Sequence, residues 1–538
     1  MPSNCHRNKK CKALLAFIKK IVLKNDNLNM SLKQKYALGE PVPNNPHAVV
    51  SNVPTLEDVC AYEEKADYVV SAMKQGYPRF VQHAWVNQLI ESVVKSFALE
   101  VSYAVLLQKN QQLESFFNSL GEGVRCLPLS EATVGVPMDL IYINASDGDK
   151  TSLIRALKLF IQHTGCLISS RMAEKALNHL GELQTGGAEM DASSIERARC
   201  EAQDRLAELS SVESTESVLL TSSGMNAFYS AFKAMQATQL ARGRSQWLQL
   251  GWVYVDSGSI LQKFLSPEET LSVHYDILDT RAILKKIEAM GDDLSVVVLE
   301  CPTNPFCQIA DLKLIAECVH RHGGLLLIDP SIASLYNIDC LPYADVLVTS
   351  LTKYTGHTGD VMAGAVIFNE AAADYSILKK HGLEYALPLY DLDMLALKDT
   401  LQSAESYVQT MNANGRQLTN FLKAHPKVKK VFAVQENAHR KKYLKHEQAF
   451  GSIISIELYE SIETFYDAIQ FVKGPSFGTQ FTIICPYFYL AHYDLVQDKS
   501  ASGLLNQLGI DRNLIRISVG CEPIEDIIEE FSRVLDLI

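Results

Sequence analysis

Between residues 218 and 368, short apolar runs bounded by polar, glycine or proline residues alternate with amphipathic stretches, which predicts strands alternating with helices. Ser295-Val296-Val297-Val298-Leu299 shows no polar alternation after its first residue, as expected of a parallel strand covered on both faces. Leu325-Leu326-Leu327-Ile328-Asp329 and Asp345-Val346-Leu347-Val348 repeat the pattern. Asp311 is placed to cap a helix running through His322, which Gly323-Gly324 would end. Units of this kind join by right-handed crossovers into one largely parallel sheet. After Asp391 a long amphipathic helix leads into a C-terminal block of helices and strands.

Upstream the pattern changes. Asn44-Asn45-Pro46 and neighbouring prolines predict an extended arm entering the protein. Residues 92–190 read as a separate α/β block, with a helical pattern from Leu106 to Leu120, a strand at Leu140-Ile141-Tyr142-Ile143 and a helix around Leu153 to Leu177. The block carries no motif with an evident chemistry. Gly186-Gly187 forms a linker, and Ser193 with Glu196 three residues on predicts a capping box opening a helix through Leu209. The expected division is a basic tail (1–45), an arm (46–91), the inserted block (92–190), a large domain (191–395) and a smaller C-terminal domain (396–538).

Charge and cysteine usage narrow the function class. The net charge of −12, from 50 basic and 62 acidic residues, argues against a nucleic-acid binder, whose partner demands a basic face. No run of eighteen apolar residues suggests a membrane span. The first thirty residues are locally basic, but Leu14-Leu15-Ala16-Phe17-Ile18 is too short and too closely followed by lysines for a secretory signal. Twelve scattered cysteines without a C-x-x-C pair fit reduced thiols, so a cytoplasmic location is expected.

The chemistry collects where strands end. In an open parallel sheet, ligands bind beyond the carboxyl ends of the strands. Asp329 closes one run, Ser350-Leu351-Thr352-Lys353 follows another, and Glu300-Cys301-Pro302-Thr303-Asn304-Pro305 a third. Ser222-Ser223-Gly224-Met225-Asn226-Ala227 lies between Val218-Leu219-Leu220 and a helix, whose N-terminal N–H groups suit a phosphate. Pyridoxal phosphate requires such a set. Its aldehyde needs an amine, its pyridine nitrogen an acidic partner, and its phosphate several donors. Lys353 is the candidate amine and Asp329 the acid. Ser223, Gly224, Met225, Ser350 and Thr352 are candidate phosphate contacts, and Asn304 a partner for the ring hydroxyl. Each alone is an ordinary surface or turn residue; their order and spacing together are what point to a cofactor.

Those residues resemble the trans-sulfuration (Cys/Met metabolism) group of fold-type-I pyridoxal-phosphate enzymes. The resemblance runs through Ser222-Ser223-Gly224-Met225, Glu300-x-Pro302-x-Asn304-Pro305, Asp329 and Ser350-x-Thr352-Lys353-Tyr354-x-Gly356-His357. It continues in Ser476-x-Gly478 and Arg516-x-Ser518-Val519-Gly520-x-Glu522 and covers roughly 190–538. It implies that Arg516 clamps a substrate α-carboxylate with Ser476 beside it, and a planar guanidinium suits that task. Gly76-Tyr77-Pro78-Arg79-Phe80 looks like the family's Tyr-x-Arg element, in which both residues cross a dimer interface to the neighbour's cofactor phosphate. Long cystathionine γ-synthase-like enzymes of fungi are most similar. Three departures affect substrate choice: Asp329-Pro330-Ser331 replaces Asp-Asn-Thr, Gly359 is an extra residue before Asp360, and Tyr-Gly-Gly is missing. The aromatic expected to stack on the cofactor ring is Tyr254.

The resemblance therefore implies a mostly parallel-sheet large domain, a smaller C-terminal α/β domain and a homodimer or homotetramer acting on small amino-acid substrates. The expected reaction is γ-replacement on an O-acylhomoserine by cysteine. An O-acylhomoserine sulfhydrylase, a cystathionine or methionine γ-lyase, and a non-catalytic regulator of the same fold are the alternatives.

Overall fold

The computed structural model describes residues 35–77, 81–110, 117, 123–147, 150–185, 191–500 and 502–538, whose strands form four sheets. The arm contributes a hairpin of β1 (Pro41–Val42) and β2 (Val50–Ser51). A three-stranded antiparallel sheet follows, from β3 (Val101–Leu107), β4 (Arg125–Leu129) and β5 (Met138–Asn144), in the order β3-β5-β4. Period-two alternation sends Leu106, Met138 and Leu140 to one face and Val105, Leu107, Ile141 and Ile143 to the other. Helices Ala84–Ser96 and Ser170–His179 cover the first face with Val86, Leu89, Val93, Met172 and Leu177. Helix Thr151–Thr164 covers the second with Leu157, Phe160 and Ile161. The block is a three-layer sandwich with both faces of its sheet filled.

Three details of the sequence reading change here. Leu106 belongs to a strand; a sheet buried on both faces shows the unbroken apolar run that mimics a helix. Phe117 lies in a helical turn, and the rest of 111–122 is outside the described residues. The stretch from Leu153 to Leu177 is two helices, because Gly165 takes φ +67° and turns the chain between them. The helix expected at Ser193 is capped by Asp191, whose carboxylate accepts from the Ser193 N–H at 3.2 Å and outcompetes the hydroxyl.

The large domain is a seven-stranded sheet of β6 (Val218–Thr221), β7 (Gln246–Leu250), β8 (Thr270–His274), β9 (Leu294–Glu300), β10 (Leu325–Asp329), β11 (Val346–Ser350) and β12 (Gly364–Phe368). Their order is β6-β12-β11-β10-β9-β7-β8, parallel throughout except for β12 against its two neighbours. All seven residues of β9 are buried, as a doubly covered strand requires. Helix Leu312–Arg321 forms as expected, but Asp311 makes no side-chain cap. Its carboxylate instead accepts from Lys442 Nζ at 2.9 Å and the Tyr443 hydroxyl at 2.8 Å.

Helix Asp391–Ala424 joins the two large cores: Met394, Leu397, Val408 and Met411 face the first, and Leu418 and Leu422 the second. The C-terminal sheet contains β13 (Val428–Ala433), β14 (Ile453–Leu458), β15 (Val472–Lys473), β16 (Ile483–Pro486) and β17 (Ile515–Ser518), ordered β13-β14-β17-β16-β15. The arm folds back along β15. Val53 N–H donates to the Lys473 carbonyl at 3.0 Å, and Lys473 Nζ, buried, donates to the Pro54 carbonyl at 2.6 Å.

Candidate active site

A cleft of about 820 Å³ opens where the large sheet's carboxyl edge meets the C-terminal sheet. It is lined by Tyr77, Ser223, Gly224, Met225, Tyr254, Asn304, Asp329, Ser350, Thr352, Lys353 and Arg516. Twelve of the thirteen residues singled out in the sequence are thus found at this place: these eleven line the cleft, and Ser476 touches three of its groups, Tyr77, Lys353 and Arg516. Arg79 lies outside the described residues.

The floor is two carboxylates. Asp329 at the end of β10 stands in register with Glu300 at the end of β9. Asp329 Oδ1 accepts from the Ser331 N–H at 2.8 Å. Burial pushes its carboxyl up to about 6, against the pull of the Ser331 hydrogen bonds and the Lys353 charge. Burial, and then the Asp329 charge, raise Glu300 well above the usual carboxylate range. Glu300 accepts from the Tyr254 N–H through Oε1, while its buried Oε2 has no hydrogen-bond partner among the described residues. Two such groups resist ionising together.

One wall is the start of helix Gly224–Leu240. Ser223 is its N-cap, with Oγ accepting from Asn226 N–H at 3.1 Å. The first N–H groups of a helix have no intrahelical acceptor and favour an anion. Gly224 lets this turn approach β11, since a Cβ there would stand 2.8 Å from the Ser350 Cβ. Thr352 is committed elsewhere than the sequence suggested. Its hydroxyl donates to the Ala363 carbonyl at 3.2 Å and accepts from the Ala363 N–H at 3.1 Å, fixing the turn that carries Lys353.

Lys353 extends from that turn between the Tyr77 and Phe477 rings, 4.6 and 4.8 Å from their centroids. Its Nζ donates to the Tyr77 hydroxyl and lies 3.4 Å from Ser476 Oγ. Tyr77 and Ser476 hydroxyls are 2.7 Å apart. Tyr77, which the resemblance assigns to a neighbouring subunit's cofactor phosphate, touches Lys353 and Ser476 within its own chain, where the arm's path along β15 carries it and Ser51 Oγ donates to the Gln75 carbonyl at 2.5 Å.

On the opposite wall Arg516 projects from the centre of the C-terminal sheet, paired with Ser455 and Cys485. Nη1 donates to Asn304 Oδ1 at 3.1 Å, and Nη2 to the carbonyls of Pro475 (2.5 Å) and Ser476 (3.2 Å). The guanidinium carbon lies over the Phe477 and Tyr487 rings, 5.2 and 5.4 Å from their centroids. The buried Nε has no partner among the described residues. Sequence reasoning names Glu300 only as part of a motif, with no role, and passes over Phe477 and Tyr487. The strand-end rule that picked Asp329 also points to Glu300, and Phe477 sits between the two residues of Ser476-x-Gly478.

This donor set fits pyridoxal phosphate: an amine, a buried acid, a helix N-terminus opened by glycine, and an arginine across the cleft. Residues 188–536 match the family described as Cys/Met metabolism PLP-dependent enzyme. The chain belongs to that family. Its cofactor is pyridoxal phosphate, and the family's members are trans-sulfuration enzymes with γ-synthase and γ-lyase relatives. The chain is 29% identical to an L-2-amino-4-chloropent-4-enoate dechlorinase/desaturase of Streptantibioticus cattleyicolor, over 92% of this chain and 97% of that one. It is 26% identical to the cystathionine γ-synthase of Neurospora crassa, over 93% and 98%. A cystathionine γ-synthase structure from Xanthomonas oryzae pv. oryzae shares the fold with a TM-score of 0.54 and 21% identity, covering 65% of this chain and 89% of that one. Among the described residues no helix is long and apolar enough to cross a membrane.

Proposed function

We propose that the chain catalyses γ-replacement, joining an O-acylhomoserine to cysteine. The observation that carries this reading is the meeting of Lys353 and Asp329, from the ends of two successive strands, with Arg516 of the C-terminal sheet around one cleft. The cofactor, when bound, supplies the electron sink that stabilises negative charge at the substrate's α-carbon. Lys353 holds it and, once released by the incoming amine, moves protons at the α- and β-carbons. The Tyr77 and Ser476 hydroxyls keep that amine in place. Asp329, ionised, keeps the pyridine nitrogen protonated. Ser223, the Gly224 and Met225 amides and Ser350 receive the phosphate, and Tyr254 stacks on the ring. Asn304, oriented by Arg516, faces the ring hydroxyl. The unpartnered Arg516 Nε–H is the donor that a substrate carboxylate would satisfy, in a guanidinium already oriented by its bonds to Asn304, Pro475 and Ser476. In this reading the assembly is a homodimer or homotetramer working in the cytoplasm. Cysteines that form no disulfide among the described residues support the compartment.

A second reading, elimination without an added thiol, is favoured by the 29% identity to the dechlorinase/desaturase. One experiment separates them. Turnover of O-acylhomoserine is measured with cysteine, with sulfide and with no thiol, alongside L-2-amino-4-chloropent-4-enoate alone. The proposal expects thioether product only with cysteine. Chloride release without thiol, and no thioether, would replace it with the second reading.

A further inference from the structure

The inserted block reaches the cleft's phosphate side with main chain. Helix Thr151–Thr164 ends there, and its last carbonyls have no intrahelical donor. The Thr164 carbonyl accepts from Asn226 Nδ2 at 3.1 Å, and the Gly165 carbonyl from Ser222 Oγ at 3.1 Å. Both donors flank Ser223 and Gly224. Gly165 leaves no room for a side chain: a Cβ would stand 2.4 Å from Ser223 Oγ and 2.8 Å from the Asn226 N. Its φ of +67° independently favours glycine.

One turn earlier the same helix touches the segment that carries Tyr254. Gln162 Nε2 donates to Asp256 Oδ1 at 3.2 Å, and His163 Nδ1 lies 3.3 Å from that oxygen. Asp256 is in the first turn of helix Val255–Lys263, whose N-cap is Tyr254. Lys263 Nζ, from its far end, is 3.2 Å from His163 Nε2. Phe160 is locked edge-on to Tyr229 at 6.3 Å, and Tyr229 to Phe264 at 5.6 Å. The helix end is thus tied on one side to the Ser222–Asn226 turn and on the other to the helix that Tyr254 caps.

We infer that residues 160–165 are a brace that holds the Ser222–Asn226 turn in the geometry that receives the cofactor phosphate, with Gly165 as its positioning residue. This rests on the reading of the cleft as the cofactor site. The opposing idea is that the block merely stabilises the fold.

The test is a titration of cofactor-free full-length protein with pyridoxal phosphate and, separately, with pyridoxal, which lacks the phosphate. Bound cofactor is read by absorbance. Gly165→Ala adds a side chain in a left-handed conformation and should weaken pyridoxal phosphate binding about tenfold. Ser222→Ala, which introduces no strain, should weaken it several-fold. Leu159→Ala, on the exposed face of the same helix, should leave it unchanged. Neither variant should alter pyridoxal binding, because the brace acts on the phosphate. Equal losses for both ligands, or no loss for either, would overturn the brace. Should Gly165→Ala fail to fold, Ser222→Ala decides by the same comparison. Wild-type protein that binds pyridoxal as tightly as its phosphate ester would overturn the cleft reading itself, and the brace with it.

Discussion

At the carboxyl edge of β9, β10 and β11 the cleft is lined by side chains, whereas Thr164 and Gly165 reach the Ser222–Asn226 turn behind it through two main-chain carbonyls. Asp329, Lys353 and Asn304 each follow a short apolar strand, so their chemistry and position can be read from residue type alone. Thr164 and Gly165 offer backbone oxygens that any residue type presents. Their effect depends on where a helix stops. A region that works through side chains leaves a motif in the sequence, and one that works through backbone leaves at most a glycine.

Removing a strand-end side chain should have the largest effect. Lys353→Ala should leave a folded chain that no longer captures the cofactor covalently, with turnover near zero. Borohydride reduction of the wild type followed by peptide mapping checks it; cofactor on any other lysine would refute the assignment.

Asp329→Asn comes next, with turnover expected to fall on the order of a hundredfold, corresponding to ~3 kcal/mol of lost stabilisation of the protonated ring. The same substitution should do the opposite to the cofactor-free protein. Burial raises the Asp329 carboxyl from 3.8 to about 6, so the folded state disfavours the ionised form. Its contribution to stability is fully present below the unfolded value and is lost as pH rises through about 6. Cofactor-free Asp329→Asn should therefore match wild type at low pH and exceed it by up to ~3 kcal/mol above about pH 7. Denaturant unfolding across that range measures it. A wild type as stable as the variant at neutral pH would mean the carboxylate is not strained there.

Legibility followed the same division. β10 was bounded correctly at Leu325–Asp329, and β9 and β11 to within two residues, because both-face burial gives an unbroken apolar run with nothing to confuse it. The same signal misleads at Leu106, where the β3-β5-β4 sheet buried on both sides imitates a helix. Asp311 and Asp191 show a second limit. Whether a carboxylate caps its own helix depends on competitors such as Lys442 and Tyr443, which arrive from far along the chain. Glu300 was in view as part of a motif, but its depth and its missing second partner are tertiary facts.

Arg516→Ala should raise KM for carboxylate-bearing substrates by roughly a hundredfold and change kcat less, the cost of ~2–3 kcal/mol for losing a buried charged clamp. Unaltered kinetics would hand the role to another cation. Unlike the strand-end residues, Arg516 comes from mid-strand, so this variant asks whether the C-terminal sheet contributes chemistry or only closes the cleft.

The smallest effect expected is that of Tyr77→Phe, which removes one hydroxyl from the Lys353 amine and keeps the ring beneath it. A hydrogen bond to a charged group is worth ~1.5 kcal/mol or more, so turnover should drop about tenfold. Whether the cleft is built from one chain turns on Tyr77, since the Tyr-x-Arg element it resembles crosses to a neighbour. Tyr77→Phe and Lys353→Ala subunits are mixed, and hetero-oligomers are verified by mass spectrometry of tagged chains. If Tyr77 serves its own chain, every site that keeps Lys353 also carries the phenylalanine, and activity per such site stays at the Tyr77→Phe level. If it serves a partner, some sites pair an intact Lys353 with an intact Tyr77, and activity per site rises toward wild type. The arm's course along β15 and the Tyr77–Ser476 contact of 2.7 Å favour the first outcome. Recovery toward wild type would instead mean that the arm exchanges between subunits in the working assembly.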